Sequence, residues 1–418
     1  MSQKISTKAA PAFIWNIIGS SCYSLSSILF LMIVTRICGA RQAGFFSLSY
    51  ATAQLLLAVG RYGMRTFQAT DLREQFSFKE YIVSRCISVG FMMLLGVFYS
   101  LFSFPGEYIL ISVLVIAMKA IDAVEDVYHG RLQQVYRVEQ MGKAQAIRNI
   151  YTTICFAAVL IITKNMLITL TATVATSIVV CIGVNQFMIH RYAKSCAKKN
   201  SGVLKSAVRL LMNCTGIFIG TFLSLLLFNI PKYAMAGVLG EEYQTYYSIL
   251  FMPSFVITLL CEFVFKPTIT SLADLWFAGE RKRFGKTVLV IFGILIACSV
   301  FIVFAGHFIG RYLLEFLYGV NLEAFKLHFI VLLLGGGISS CVYMSYNILI
   351  AIRHGRSIKI VYTIVAVISI LVVRPMINAF SMMGAALNYL LSATLLLVFF
   401  VAILLYIYKH SVSKKNTQ

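Results

Sequence analysis

Between Glu107 and Asp126 runs a mostly apolar stretch that carries Lys119, Asp122, Glu125 and Asp126. Read as a membrane-crossing helix, it places Lys119 near mid-span, where a charge costs ~2.5–3.5 kcal/mol even on lenient insertion scales. Asp122 and Asp126 follow at i+3 and i+7, on the same helix face, so the three groups are placed to pair. The carboxylates read as lying close to the inner surface, whereas Lys119 lies too deep for that. Two accounts stay open: a cation facing a cavity that takes an anion, or half of a structural ion pair.

Other charges stand at weaker positions. Arg36 and Lys232 fall at the outward ends of the first and seventh apolar segments, and Arg61, Arg65, Arg85 and Arg148 at inward ends. Snorkelling of the long side chain to the headgroups is the ordinary account of such arginines. Glu262 lies inside the eighth segment, near Pro267, and Arg374 inside the eleventh. Glu262 is placed either to carry a coupling proton or to pair with a cation. The ten cysteines and six histidines are scattered, with no spacing of a metal site and no disulfide framework, so neither a metal nor a cofactor is expected.

The chain that must position these groups has 418 residues, 60% of them hydrophobic and 12% charged, with a mean hydropathy of +0.85. A water-soluble domain cannot hide that much apolar surface, so its solvent is lipid. Lipid leaves each span to satisfy its own backbone hydrogen bonds, as helices do, and barrel-type alternation is absent. Apolar windows of roughly 18–25 residues fall at 13–34, 43–64, 81–103, 107–128, 146–163, 166–189, 208–230, 244–267, 287–306, 325–350, 357–379 and 382–408. The fifth and sixth are split only at Lys164 and Asn165, the last two around Asn378. Pro253 and Gly335-Gly336-Gly337 read as interruptions of the eighth and tenth. The first segment lacks a cleavage site behind it and reads as a retained span.

A net charge of +21 suggests nucleic acid, but its distribution argues against that. Lys and Arg concentrate in alternate loops, among them Arg131, Arg137 and Lys143, Arg191 to Lys205, Arg281-Lys282-Arg283 and the C-terminal tail. That alternation is the positive-inside rule, with an even number of spans and both termini cytoplasmic. All loops are short, which disfavours an enzyme.

The basic loop near residue 200 divides the chain into two halves, 1–200 and 201–418, of six spans each. Asn16, Gly19, Tyr23 and Ser27 in the first span are echoed by Asn213, Gly216, Gly220 and Ser224 in the seventh. The following junctions, Cys38-Gly39-Ala40 to Ser47 and Leu239-Gly240-Glu241 to Ser248, echo each other too. This is the pattern of a parallel repeat about an axis along the membrane normal. The small-residue faces either pack helices tightly or line a path between the halves.

Several places resemble one family. Thr35-Arg36-Ile37-Cys38-Gly39 followed by Ala43-Gly44-Phe45-Phe46 is similar to a junction after the first helix, with Cys38 in place of the usual Leu. Gly63-Met64-Arg65-Thr66-Phe67-Gln68-Ala69-Thr70-Asp71, Asp122 through Gly130-Arg131-Leu132-Gln133-Gln134 to Gly142-Lys143, Leu317-Tyr318-Gly319 and Gly384-Ala385-Ala386 follow in order. Together they resemble the polysaccharide flippases, transporters of O-antigen and capsule repeat units, of the multidrug/oligosaccharidyl-lipid/polysaccharide exporter superfamily. The resemblance implies an all-α integral membrane fold of about twelve transmembrane helices, in two six-helix bundles that form a V-shaped transporter around a central cavity.

It further implies alternating-access flipping of undecaprenyl-diphosphate-linked oligosaccharide units across the inner (plasma) membrane, from the cytoplasmic to the periplasmic leaflet. The units would feed lipopolysaccharide or capsule synthesis, with membrane lipids and other polysaccharide-assembly proteins as partners. A diphosphate needs charge compensation before it enters a low-dielectric interior. Lys119 is the first candidate to supply it, with Arg36, Arg85, Arg148 and Arg374 behind it. No P-loop is present, so an ion gradient or downstream consumption must drive transport, with Asp122, Asp126 and Glu262 as candidate coupling sites. The alternative is an ion-coupled multidrug or small-molecule exporter of the same superfamily, which the deep cation and the shallow carboxylates disfavour.

Overall fold

In the computed structural model, residues 3–71, 74–193, 202–352 and 354–416 are described, and their side chains except at 3–10, 12, 70, 255–256, 258–267, 270, 355–356 and 411–416. Helices account for nearly all of them, and no strand is present among them. α1 spans Gln3–Arg61, α2 Met64–Thr70, α3 Phe78–Ser103, α4 Gly106–Gln134, α5 Val138–Thr163 and α6 Met166–Tyr192. α7 follows over Val203–Met235, α8 over Glu241–Phe277 and α9 over Arg281–Ala305. A π-turn at Gly306–Gly310 leads into the short α10 (Arg311–Tyr318), and α11 (Lys326–Ala351), α12 (Gly355–Phe380) and α13 (Met382–Asn416) complete the chain. Each apolar window read from the sequence falls on one of these helices, with two on α1.

The junctions show how local chemistry punctuates so apolar a chain. α1 contains both of the first two windows and changes direction at Gly39 alone, at φ 80° and ψ 169°. A β-carbon on Gly39 would meet nothing within 4 Å, so glycine is needed there for its dihedral and not for space. Lys164 adopts φ 49° and ends α5. The Asn165 carboxamide oxygen then accepts from the Leu167 and Ile168 amides and starts α6, as capping residues do. The break between the last two windows falls at Ser381, φ 51°, three residues beyond Asn378.

Among the described residues, nine helical stretches are long and apolar enough to cross a bilayer. One of them, Phe13–Arg61, has 49 residues, enough for two crossings at roughly 20 residues each. α4 does not qualify, because its charges interrupt the apolar run.

Two compact units emerge, Met1–Phe222 and Leu223–Gln418. In the first, α1 packs along α5, α4 and α3, while α6 covers α5 and α4. The beginning of α7 belongs to this unit: Leu210 and Cys214 are buried with Met64, Phe76, Tyr81 and Val127, and the Ser84 hydroxyl bonds to the Ala207 carbonyl at 3.1 Å. In the second unit α11 is central and is flanked by α8, α9 and α13, with α12 on α13.

Glycines set the closest approaches. Gly19 on α1 and Gly142 on α5 face each other, and a β-carbon at Gly142 would run into the Trp15 carbonyl. Gly335-Gly336-Gly337 does not interrupt its helix, contrary to the sequence expectation. α11 continues through all three, and they meet Tyr389, Ser254 and Ser299 in turn. Successive helical positions turn by about 100°, so three adjacent glycines let three different neighbours close on one helix. Pro253 likewise leaves α8 continuous. Gly142→Ala is expected to destabilise the protein by about 1–3 kcal/mol, the usual cost of overpacking; thermal melting in detergent checks this, and an unchanged midpoint counts against the α1–α5 contact.

Candidate functional site

The charged side of α4 gathers side chains from five neighbouring elements inside the first unit, α1, α2, α3, α5 and α6. Lys119 is 3% exposed. Its ammonium lies 3.0 Å from Asp122 Oδ2 and 4.7 Å from the ring centroids of both Tyr23 and Tyr50 on α1. Tyr50 is itself fixed by a 2.6 Å hydrogen bond with Ser27. The other oxygen of Asp122 accepts from Arg148 of α5 at 2.6 Å, and the same guanidinium nitrogen lies 2.8 Å from Glu125 Oε2. Arg148 also donates to Ser177 of α6 at 3.1 Å. Glu125 Oε1 faces His129 Nε2 at 3.6 Å.

One turn further along, Asp126 gathers three arginines. Arg85 of α3 lies 2.9 Å from Oδ2 and also donates to the Gly60 carbonyl at 2.6 Å. Arg65 of α2 and Arg61, at the end of α1, approach Oδ1 at 3.4 and 3.8 Å. Five cations therefore face three carboxylates, a formal excess of two positive charges with His129 neutral. The excess is not evenly spread. The Arg85 and Arg148 side chains are 2% exposed, but Arg61 and Arg65 are 38% and 32% exposed. These two share a single carboxylate oxygen at long range, so the uncompensated charge sits at the accessible edge.

The loop after α2 is built to hold that edge. Asp71 accepts the Gln75 and Phe76 amides and the Tyr81 hydroxyl. The Gln134 amide, at the end of α4, donates to the Asp71 carbonyl at 2.6 Å. The run from Gly63 to Asp71 thus pins α2, and with it Arg65, to α3 and α4.

Of the residues singled out in the sequence, Lys119, Asp122, Asp126, Arg85 and Arg148 come together here. Arg36 is exposed on α1, close to Gly39, and Arg374 is exposed on α12 in the other unit; neither joins the cluster. The Glu262 side chain lies outside the described residues. Lys119 pairs with Asp122 alone, because Asp126 is seven positions on, roughly 10 Å along the helix axis. α4 continues to Gln134, so Asp122 stands near the middle of the helix, and it is buried there. Nothing in the sequence pattern points to His129, Tyr50 or Ser177; Glu125, from the same charged run, and Tyr23, from the small-residue face, join the cluster, as do Arg61 and Arg65, whose span-end positions snorkelling explains equally well. Glu125 stands i+3 from Asp122, on the same side of α4. Among the described residues no group of three His, Cys, Asp or Glu is placed to hold a metal ion.

No protein-family profile and no curated protein matches the chain. Solved structures do. The lipid II flippase MurJ, in an inward closed conformation, aligns with a TM-score of 0.71 and 12% identity over 93% of this chain and 87% of its own. A Vibrio cholerae MATE transporter, VcmN, aligns with a TM-score of 0.64 and 12% identity over 98% of both chains. A MOP-superfamily transporter from Pyrococcus furiosus, described as having a binding pocket of reverse polarity, gives 0.56 and 13% over 97% and 96%. The chain therefore has the all-helical membrane fold that these transporters share.

Proposed function

We propose that this protein is a flippase that moves a lipid-diphosphate-linked oligosaccharide across the inner membrane by alternating access, with both termini cytoplasmic. The observation that carries the reading is the charge imbalance of the buried cluster, five cations against three carboxylates, with its excess at Arg61 and Arg65. A diphosphate crossing a low-dielectric interior needs fixed cations to replace its hydration, and guanidinium groups match its oxygens geometrically. A site for organic cations calls for the opposite balance. That one fold neighbour is named a lipid II flippase supports the reading, although multidrug transporters share the fold. Undecaprenyl diphosphate is the proposed carrier, and O-antigen or capsule units are the proposed cargo. Asp122 and Asp126 are proposed to hold the cations in place as much as to couple ions, since each carries at least two of them. Deleting the protein should leave lipid-linked oligosaccharide on the cytoplasmic leaflet. Leaflet-selective labelling of the lipid-linked sugar measures this, and unchanged outward exposure in the deleted cells sinks the proposal.

A further inference from the structure

A second cation stands apart from the cluster. Lys232 is half-buried in the last turn of α7, beside Pro231. Its ammonium lies over the Phe251 ring, 5.6 Å from the centroid. Among the described residues no carboxylate lies within ion-pair distance of it. Lys119, Arg85, Arg148 and Arg131 differ in this respect, each having a carboxylate within 3.0 Å. A desolvated charge without a counter-ion is costly in a membrane protein and marks a place where one arrives from outside.

The surroundings are those of a site. Gln244, Tyr247 and Phe251 stand at i, i+3 and i+7, on one face of α8. The Gln244 amide donates to the Lys232 carbonyl at 2.8 Å, which ties this face to the end of α7. Its Oε1 and the Tyr247 hydroxyl are buried and have no hydrogen-bond partner among the described residues. The Tyr247 and Phe251 rings stack with centroids 6.0 Å apart, and Phe251 meets Tyr389 at 5.0 Å. A half-buried ammonium over the Phe251 ring, with an unpaired hydroxyl and an unpaired amide oxygen on the adjoining face of α8, fits an oxyanion joined to a hydroxyl-bearing ring, whose apolar face can rest on the aromatics.

We propose that Lys232 is an anion-binding point of the C-terminal unit, which takes a phosphate or carboxylate oxygen of the transported molecule. That the anion belongs to the cargo rests on the flippase reading; that Lys232 binds an anion can be tested without it. The full-length protein in detergent would be titrated calorimetrically with geranyl diphosphate, inorganic pyrophosphate and glucuronate. Native protein, Lys232→Met, Lys232→Arg and Lys119→Met would be compared, with Lys232→Gln as a substitute if the methionine variant fails to accumulate. We expect Lys232→Met to weaken binding of at least one probe about tenfold or more, the worth of one charge-assisted hydrogen bond, and Lys232→Arg to restore it. A loss confined to the two diphosphates identifies the lipid headgroup as the source, and a loss confined to glucuronate an acidic sugar. Native-like binding of all three probes by Lys232→Met overturns the assignment, as does the failure of native protein to bind any. If Lys119→Met is weakened while Lys232→Met is not, the flippase reading stands and only the Lys232 site falls.

Discussion

Arg148→Met should lower the stability of the N-terminal unit by about 3–5 kcal/mol, the range found when one partner of a buried ion pair is removed. The guanidinium binds Asp122 at 2.6 Å, Glu125 at 2.8 Å and Ser177 at 3.1 Å, and so joins α4, α5 and α6. Its loss leaves Glu125 with no cation, enclosed at 3% exposure, whereas Asp122 keeps Lys119. The isosteric Glu125→Gln change in the same chain removes that stranded charge and should return part of the loss. Lysine at 148 should restore less than the native residue, because a point charge cannot hold two carboxylates and a hydroxyl in one plane. Thermal melting in detergent, with the amount of protein in the membrane fraction, reads all three variants. A melting midpoint for Arg148→Met equal to the native value means that the cluster is hydrated and not paired.

If the proposed flippase function holds, Lys119→Met should behave in the opposite way, with stability largely kept and transport lost. Asp122 retains its 2.6 Å contact with Arg148 when Lys119 goes, so no carboxylate is stranded, and methionine fills the space between the Tyr23 and Tyr50 rings. What disappears is one positive charge of the five, which halves the formal excess available to an incoming anion. Surface polysaccharide should fall tenfold or more, about the effect of losing one charge-assisted hydrogen bond in a desolvated site, with near-native protein levels. Alanine at Lys164, which ends α5, or at Lys326, which begins α11, both outside the cluster, should change polymer little and serves as the comparison. Full polymer from Lys119→Met removes the lysine from the transport path. Together, the two substitutions separate cations that hold the unit together from cations proposed to meet cargo.

Much of the scaffold was legible in the sequence, because span length and the dearth of charge are properties of the chain itself. Each apolar window found a helix, and even the weak split at Lys164 and Asn165 is a true junction. The small-residue face of α1 was legible as a pattern but open in meaning. Gly19 turns out to pack on Gly142, while Tyr23, on the same face, reaches Lys119. The cluster was half legible. Lys119, Asp122 and Asp126 announce themselves by standing in an apolar helix. Arg61, Arg65, Arg85 and Arg148 sit at span ends, where lipid headgroups explain an arginine just as well, and only tertiary packing tells the two apart. Arg36, at an outward span end, shows the same ambiguity resolved the other way, for it is exposed.

The charge density of α4 has a consequence for how the protein is made. Lys119, Asp122 and Asp126 alone add roughly 7–10 kcal/mol to the insertion of an isolated helix on the translocon scale, more than its leucines and isoleucines recover. α4 must therefore wait in or beside the insertion machinery until Arg85 of α3 and Arg148 of α5 arrive as counter-ions, and the three helices enter lipid as one electrically matched group. Ribosome-bound chains stopped before α5 should expose α4 to protease.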